Sequence, residues 1–172
     1  DSIAPHIIRA LAESSKIGVH ARILAKGGLQ SLLVAHYLGH ELSPDGQGYD
    51  AHDSSGKKYE YKATNSSNPQ CTYIFSKHDT VKQAVEKKIS KLDAVVFAVI
   101  GATGVERCHL ALAADFKAYA KAHFDRVATE VAAGTRRRGR PRANASEDSR
   151  TLCLSEASFL AITNTSANVP RC

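Results

Sequence analysis

The chain of 172 residues contains no methionine and no tryptophan, and aromatic residues make up only 6% of it. The absence of methionine even at position 1 indicates that a few native residues precede the numbered start. No apolar run approaches the roughly 18 residues that a membrane span requires, and no secretory signal is visible. No membrane partner is therefore expected.

Cysteine is sparse, and its positions match no metal-binding or redox motif. Cys71, Cys108, Cys153 and Cys172 form no CxxC pair and show no zinc-ligand spacing, which argues against a zinc ribbon or finger. Reduced thiols in a cytoplasmic protein are the simplest interpretation, although oxidised pairs stay open. A chain of this length can bury a core without such cross-links, so we expect one domain over residues 1–172.

Charge is the first positive signal in the composition. The chain has 23 Lys and Arg residues against 17 Asp and Glu residues, which leaves a formal net charge of +6. An excess of this size favours a polyanionic partner such as double-stranded DNA. The signal is weak, because many small basic proteins never bind nucleic acid.

The spacing of apolar residues predicts the main elements. Four helices are expected, over residues 2–14, 28–39, 80–91 and 113–133. A valine-rich run at 94–100 predicts a strand buried on both faces, and 105–111 predicts a second strand beside it. Helices first, then a mostly antiparallel meander, then a long covering helix indicate an α/β (mixed α+β) architecture, with one central mixed sheet flanked by helices.

Residues 49–64 carry the signal of a β-hairpin. Two short runs of alternating character, Tyr49–Asp53 and Lys57–Thr64, are separated by Ser54-Ser55-Gly56. A three-residue loop with glycine in third place suits a type I turn followed by a residue in the left-handed conformation. The hairpin would open a catalytic sheet that extends over residues 49–111.

Three charged side chains converge on one patch of this hairpin. Counting outward from the loop places Asp50 across from Glu60, and Lys62 shares the face of Glu60 because residues two apart on a strand project the same way. Two carboxylates and a phosphate oxygen suit Mg²⁺, to which the carbonyl of Tyr61 could add a ligand. Lys62 would orient or deprotonate the attacking water, or stabilise the transition state. A Glu-x-Lys pair considered alone is more often merely solvated.

The ungapped string from Gly48 to Lys62, GYDAHDSSGKKYEYK, resembles the active-site segment of the PD-(D/E)xK type II restriction endonucleases, in particular of their PvuII-like members. The likeness lies in the Asp-Ala pair, a second aspartate three residues on, the glycine of the turn and the Tyr-Glu-x-Lys ending. It extends over roughly residues 17–101. It implies a restriction-endonuclease-like core and a homodimer that hydrolyses DNA with Mg²⁺ at a short palindromic site, leaving 5′-phosphate ends.

The same resemblance implies roles for individual residues. Asp50 and Glu60 would be metal ligands, and Lys62 would be the catalytic lysine. The amphipathic helix predicted over residues 2–14 would supply part of the dimer interface.

Two other aspartates lie near the same hairpin. Asp45 is a rival for the first metal ligand, because Pro44-Asp45 spells the name of the superfamily. Asp50 is preferred since it lies across the hairpin from Glu60, whereas Asp45 lies in the loop beyond the end of the strand. Asp53 is expected to cap the turn, a common role for aspartate at that position.

Candidate DNA contacts lie in three separate segments of the chain: Lys26; Ser76, Lys77 and His78; and Arg138 and Arg140. In the relatives the segment after the active-site strand carries histidines that read bases, and this chain keeps only His78 there, which indicates a different target sequence. A surface or capping histidine is the alternative. The basic loop over residues 135–150 contains an AT-hook-like Arg-Gly-Arg-Pro-Arg run, or is a solvated loop that binds phosphates without specificity.

Two rival functions fit the same residues. A structure-selective repair nuclease or junction resolvase would keep the chemistry and select branched DNA. A non-catalytic DNA-binding module would leave the carboxylates inert and would depend on the arginines for affinity.

Overall fold

The computed structural model describes residues 9–10, 12–13, 16, 27–44, 48–65, 69–75, 80–133 and 151–163. The elements delimited there are, in chain order, α1 (Gly28–Leu38), β1 (Glu41–Leu42), β2 (Ala51–His52), β3 (Lys58–Asn65), β4 (Gln70–Ile74), α2 (Val81–Ile89), β5 (Ala94–Gly101), β6 (Gly104–Leu112), α3 (Ala113–Ala132), β7 (Thr151–Ser155) and α4 (Glu156–Thr163). The predicted helix over 2–14 falls mostly outside the described residues.

Five strands form one mixed sheet in the order β1-β2-β3-β5-β6, and β4 pairs with β7 in a separate two-stranded sheet. β3 and β5 are parallel, whereas the other neighbours in the large sheet are antiparallel. The predicted mixed α/β class is confirmed. The expected meander is wrong at one place, because the chain leaves the sheet after β3 and returns through α2 to enter β5 in the same direction as β3.

The hairpin between β2 and β3 has the register that the turn predicted. Ala51 lies opposite Tyr59 and His52 opposite Lys58, while the regular part of β2 is shorter than expected. Gly56 has a φ of 81°, the left-handed conformation that glycine adopts without strain. The carboxylate of Asp53 accepts hydrogen bonds from the amides of two turn residues, so its predicted capping of the turn is confirmed.

The large sheet separates two apolar clusters, and the valine-rich strand β5 contributes to both. On one side Phe97 packs with rings from α3 and α4, Phe116 and Phe159. On the other side Val96 packs with α1 and with the tyrosines of β3. This two-sided burial explains why β5 is a continuous apolar run. Among the described residues, no helix is both long and apolar enough to cross a membrane.

The strands β4 and β7 were not predicted as a pair. Each is five residues long, and they are antiparallel, with Tyr73 opposite Leu152 and Cys71 opposite Leu154. The helix α2 follows β4 in the chain and begins with a capping box in which the Thr80 side chain accepts from the Gln83 amide. The Tyr73 ring of β4 lies beside Lys62 of β3 and beside Lys88 of α2.

Candidate active site

β3 presents two different faces, as its alternating residues predicted. Tyr59 and Tyr61 are buried on the α1 side of the sheet, where the His40 ring stacks on Tyr59 with 4.2 Å between centroids. The Tyr61 hydroxyl is hydrogen-bonded to His40 Nδ1 at 2.8 Å. Because successive side chains of a strand alternate, Glu60 and Lys62 project to the opposite face.

Glu60 and Lys62 form an ion pair that is largely shielded from solvent. Lys62 Nζ donates to Glu60 Oε1 at 2.6 Å, and the two side chains are 11% and 16% exposed respectively, with Glu60 the less exposed. A pair with this little exposure is screened far less by water and salt than a surface pair. The interpretation of Glu60 and Lys62 as a solvated surface pair is therefore wrong.

Asp50 is held at the end of β2 beside the same strand. Its amide donates to the carbonyl of Tyr59 at 2.8 Å, and its Oδ2 accepts from the amide of Tyr61 at 2.7 Å. Asp50 thus bonds the main chain of Tyr59 and Tyr61, the two residues that flank Glu60, one residue beyond the register pair Ala51 and Tyr59. The amide and carbonyl of one strand residue point to the same edge, so the Tyr61 carbonyl also lies on the Asp50 side of β3.

The oxygens of Asp50, Glu60 and Tyr61 are a donor set suited to a hard cation. The described residues contain no group of three or more His, Cys, Asp and Glu side chains placed to hold a metal ion. Mg²⁺ does not need such a cage, because it keeps several waters and often takes one or two carboxylates together with phosphate oxygens. Two carboxylates and one main-chain carbonyl therefore fit Mg²⁺ better than zinc, which forms closed sites with Cys and His.

Tyr73 and Lys88 also lie at this site, although no motif in the sequence indicated them. Lys62 Nζ is 4.6 Å from the centroid of the Tyr73 ring, and Lys88 Nζ is 4.5 Å from the same centroid. Lys88 Nζ also donates to the carbonyl of Ile74 at 2.9 Å. Lys88 follows the buried residues Ala84 and Val85 at helical spacing. This spacing was the only sign in the sequence that Lys88 lies on the inner face of the helix.

No family model matches the chain, and no curated protein matches it.

Burial and the charges of the site shift the pKa values of three side chains near Lys62, those of Lys88, Tyr73 and Cys71. Burial lowers the pKa of Lys88, and the negative charge of Glu60 opposes this shift. Burial also raises the pKa of Tyr73, and the charges of Glu60 and Asp50 raise it further. Burial raises the pKa of the Cys71 thiol to about 12 although Lys62 opposes it, so that thiol is neutral and unsuited to bind a metal.

The DNA-contact predictions fall on parts of the chain that are not described. Lys26, Ser76, Lys77, His78, Arg138 and Arg140 all lie outside the described residues, as does the rival metal ligand Asp45. Their roles remain predictions.

Proposed function

We propose that the protein is a type II restriction endonuclease that uses Mg²⁺ to hydrolyse DNA phosphodiester bonds at a short palindromic site and leaves 5′-phosphate ends. The observation that carries the proposal is the shielded Glu60–Lys62 pair with Asp50 fixed beside it on the hairpin. Two carboxylates and one ammonium on a rigid strand pair match the needs of phosphodiester hydrolysis. The sequence resemblance of the same segment supports the same chemistry.

The carboxylates of Asp50 and Glu60 and the carbonyl of Tyr61 are the residues that would hold Mg²⁺. Held there, Mg²⁺ would supply Lewis-acid chemistry, polarising the phosphate and lowering the pKa of a water. These oxygens are fixed before substrate arrives, because Asp50 accepts a main-chain hydrogen bond and Glu60 is held by Lys62. Preorganised groups of this kind need little rearrangement during the reaction.

Lys62 would donate hydrogen bonds to the phosphate. Its ammonium is held by the Glu60 carboxylate and lies over the Tyr73 ring. Of the three roles that the sequence left open, this setting favours stabilising the charge that develops on the phosphate oxygens. Because the Lys62 ammonium already donates to the Glu60 carboxylate, a phosphate bound next to that carboxylate would lie within reach of its remaining N–H groups.

The partner and location follow from the same proposal. A homodimer places one active site on each strand of a palindrome, and the net charge of +6 favours binding to double-stranded DNA. Lys26, Ser76, Lys77, His78, Arg138 and Arg140 are the proposed DNA-contacting residues. A cytoplasmic location is supported by Cys71, Cys108 and Cys153, which form no disulfide within the described residues.

The test is to digest DNA of known sequence with Mg²⁺ and to sequence the ends, with EDTA as the metal-free arm. We expect defined 5′-phosphate ends from the wild type and none with EDTA. Glu60→Gln should abolish cleavage. Glu86→Gln is the matched control, because Glu86 forms an ion pair of the same 2.6 Å length with Lys117 and is not part of the proposed site.

Three results would contradict the proposal in different ways. Cleavage that persists in Glu60→Gln at the wild-type rate means that the site is elsewhere. Cleavage of branched DNA in preference to linear DNA points to a structure-selective nuclease. DNA binding without cleavage of any substrate means that the protein is a binding module.

A further inference from the structure

Lys88 is a half-buried lysine on the face of α2 that lies against β4. Its ammonium donates to the Ile74 carbonyl at 2.9 Å and lies 4.5 Å from the centroid of the Tyr73 ring. Within the described ranges no carboxylate is close enough to form an ion pair with it. Withdrawing an ammonium from water is costly without an anion, so this placement calls for an explanation.

The Tyr73 ring brings Lys88 to the proposed active site. Lys62 Nζ lies 4.6 Å from the centroid of that same ring, so the two ammonium groups cannot be farther apart than these two short distances together. Glu60 and Asp50 both interact electrostatically with Lys88. Lys88 therefore belongs to the group of charges that includes the proposed metal ligands.

The charges of this group become unbalanced when a divalent cation is present. Asp50 and Glu60 contribute two negative charges, and Lys62 and Lys88 contribute two positive charges. A divalent cation on the carboxylates leaves an excess of two positive charges in a partly desolvated place, where such charges act strongly. A phosphodiester of DNA is the anion that the proposed function brings to this position.

The Tyr73 hydroxyl gives independent evidence that a polar partner is missing here. Tyr73 is fully buried, and its hydroxyl has no hydrogen-bond partner in the part of the chain that the structure describes. Buried hydroxyl groups are nearly always hydrogen-bonded to protein or to ordered water. A ligand oxygen or a water next to this ring would satisfy it.

We propose that Lys88 is a second phosphate-binding residue of the site, held by the Tyr73 ring and the Ile74 carbonyl and donating to a backbone phosphate oxygen of the bound DNA. The inference rests on the proposed nuclease function and adds a substrate contact to it. An ammonium has three N–H donors, of which the Ile74 carbonyl takes one. A donor therefore remains for the phosphate while the ring keeps the ammonium in place.

The experiment compares Lys88→Met with Lys82→Met. Methionine keeps much of the apolar stem of lysine and removes the charge. Lys82 is a matched control because it lies on the same helix, is exposed and is only loosely paired with Asp125 at 3.9 Å. Two quantities are measured: the single-turnover rate of DNA cleavage with Mg²⁺, and the salt dependence of affinity for a DNA duplex in the Glu60→Gln background, in which cleavage is blocked.

We expect Lys88→Met to slow cleavage by about 10- to 100-fold and to reduce the slope of log affinity against log salt by about 1, the loss of one phosphate contact. Lys82→Met should change neither quantity. Lys88→Arg should restore the slope, because arginine keeps the positive charge. A lysine with only a structural role would lower the melting temperature while the rate and the slope stay at control values, and that result overturns the proposal.

The same measurements distinguish a failure of the nuclease proposal from a failure of the Lys88 proposal. If the wild type cleaves no DNA, the nuclease proposal is wrong, and the salt slope still decides the role of Lys88. A slope that falls in Lys88→Met and not in Lys82→Met supports phosphate binding by Lys88 in a protein that is not a nuclease. Equal slopes in the two variants contradict it.

Discussion

Glu60 and Tyr61 are neighbours on β3 and are almost equally buried, at 9% and 5% exposure, yet they lie in opposite kinds of surroundings. Tyr61 faces α1, and its hydroxyl is hydrogen-bonded to His40. Glu60 faces β4 and α2, and one of its oxygens accepts from Lys62. The described part of the chain supplies Glu60 with no second cation within ion-pair distance.

This difference shows that burial alone does not separate a structural side chain from a functional one. The hydroxyls of Tyr59 and Tyr61 have partners within the protein, in Asp53 and His40. On the other face the carboxylate of Glu60 and the ammonium groups of Lys62 and Lys88 retain hydrogen-bonding capacity that a ligand could use. Unused polar capacity in a buried place is the property that favours the proposed active site on this face.

The largest expected effect comes from removing the ammonium on the charged face. Lys62→Met should reduce cleavage by about 10³-fold, because a donor directed at the reacting phosphate contributes on this scale. Single-turnover cleavage of a plasmid with Mg²⁺ measures it, and Lys57→Met, at an exposed position in the turn, is the control. If Lys62→Met cleaves DNA at a rate within about threefold of the wild type, the charged face of β3 is no more important for cleavage than the tyrosine face, and the prediction is wrong.

The stability of the same variants sharpens the comparison. Lys62→Met leaves the Glu60 carboxylate shielded from water without its cation, and we expect a loss of about 3 kcal/mol in the free energy of unfolding. Adding Glu60→Gln to this variant should recover most of that loss, because the uncompensated charge is removed, while cleavage stays abolished. Urea unfolding of the two variants provides the test. A double variant as unstable as the single one would show that the ion pair itself supports the fold.

Removing one hydroxyl from each face should change stability in opposite directions. Tyr61→Phe loses the hydrogen bond to His40 and should lower the free energy of unfolding by about 1 kcal/mol, with cleavage unchanged. Tyr73→Phe removes a buried hydroxyl with no partner among the described residues and should raise it by about 1 kcal/mol. Chemical denaturation compares them. A loss of stability in Tyr73→Phe would show that the hydroxyl already has a partner in the free protein.

The smallest expected effect concerns acid stability at the turn. The Ser55 hydroxyl, with Tyr59 and two turn amides, holds the pKa of Asp53 well below its usual value of 3.8. A carboxylate whose pKa is lowered by folding stabilises the protein above its unfolded pKa, and this contribution is lost as pH falls through the folded pKa. The difference in melting temperature between wild type and Asp53→Asn should therefore be full at pH 7 and shrink below about pH 4. Asp125→Asn, at an exposed position on α3, is the control, and a difference independent of pH would contradict the assignment.

The sequence predicted those features that depend on neighbouring residues. The length of the loop at Ser54-Ser55-Gly56 fixed the register of β2 and β3, and with it the placement of Asp50 beside the residues that flank Glu60. The buried strand β5 and the long helix α3 followed from their apolar patterns. In each case the determining residues lie close together in the chain.

The features that the sequence did not reveal depend on partners far away in the chain. β4 pairs with β7, a strand about 80 residues later in the chain. Neither five-residue segment contains a sequence pattern that indicates with which strand it pairs. For the same reason the parallel pairing of β3 with β5 was not foreseen. Lys88 was missed because a lysine at a core-facing helical position is normally taken for a surface residue.

The pairing of β4 with β7 also sets an order in time. During synthesis the segment with Asp50, Glu60 and Lys62 is complete long before β7, which supplies the fully buried Leu152 and Leu154 beside Tyr73. A growing chain thus has its acidic pair early, and the packing that holds the Tyr73 ring beside Lys62 and Lys88 forms only once β7 has been made. If the proposed nuclease function is right, translation itself would then delay activity until β7 has been synthesised.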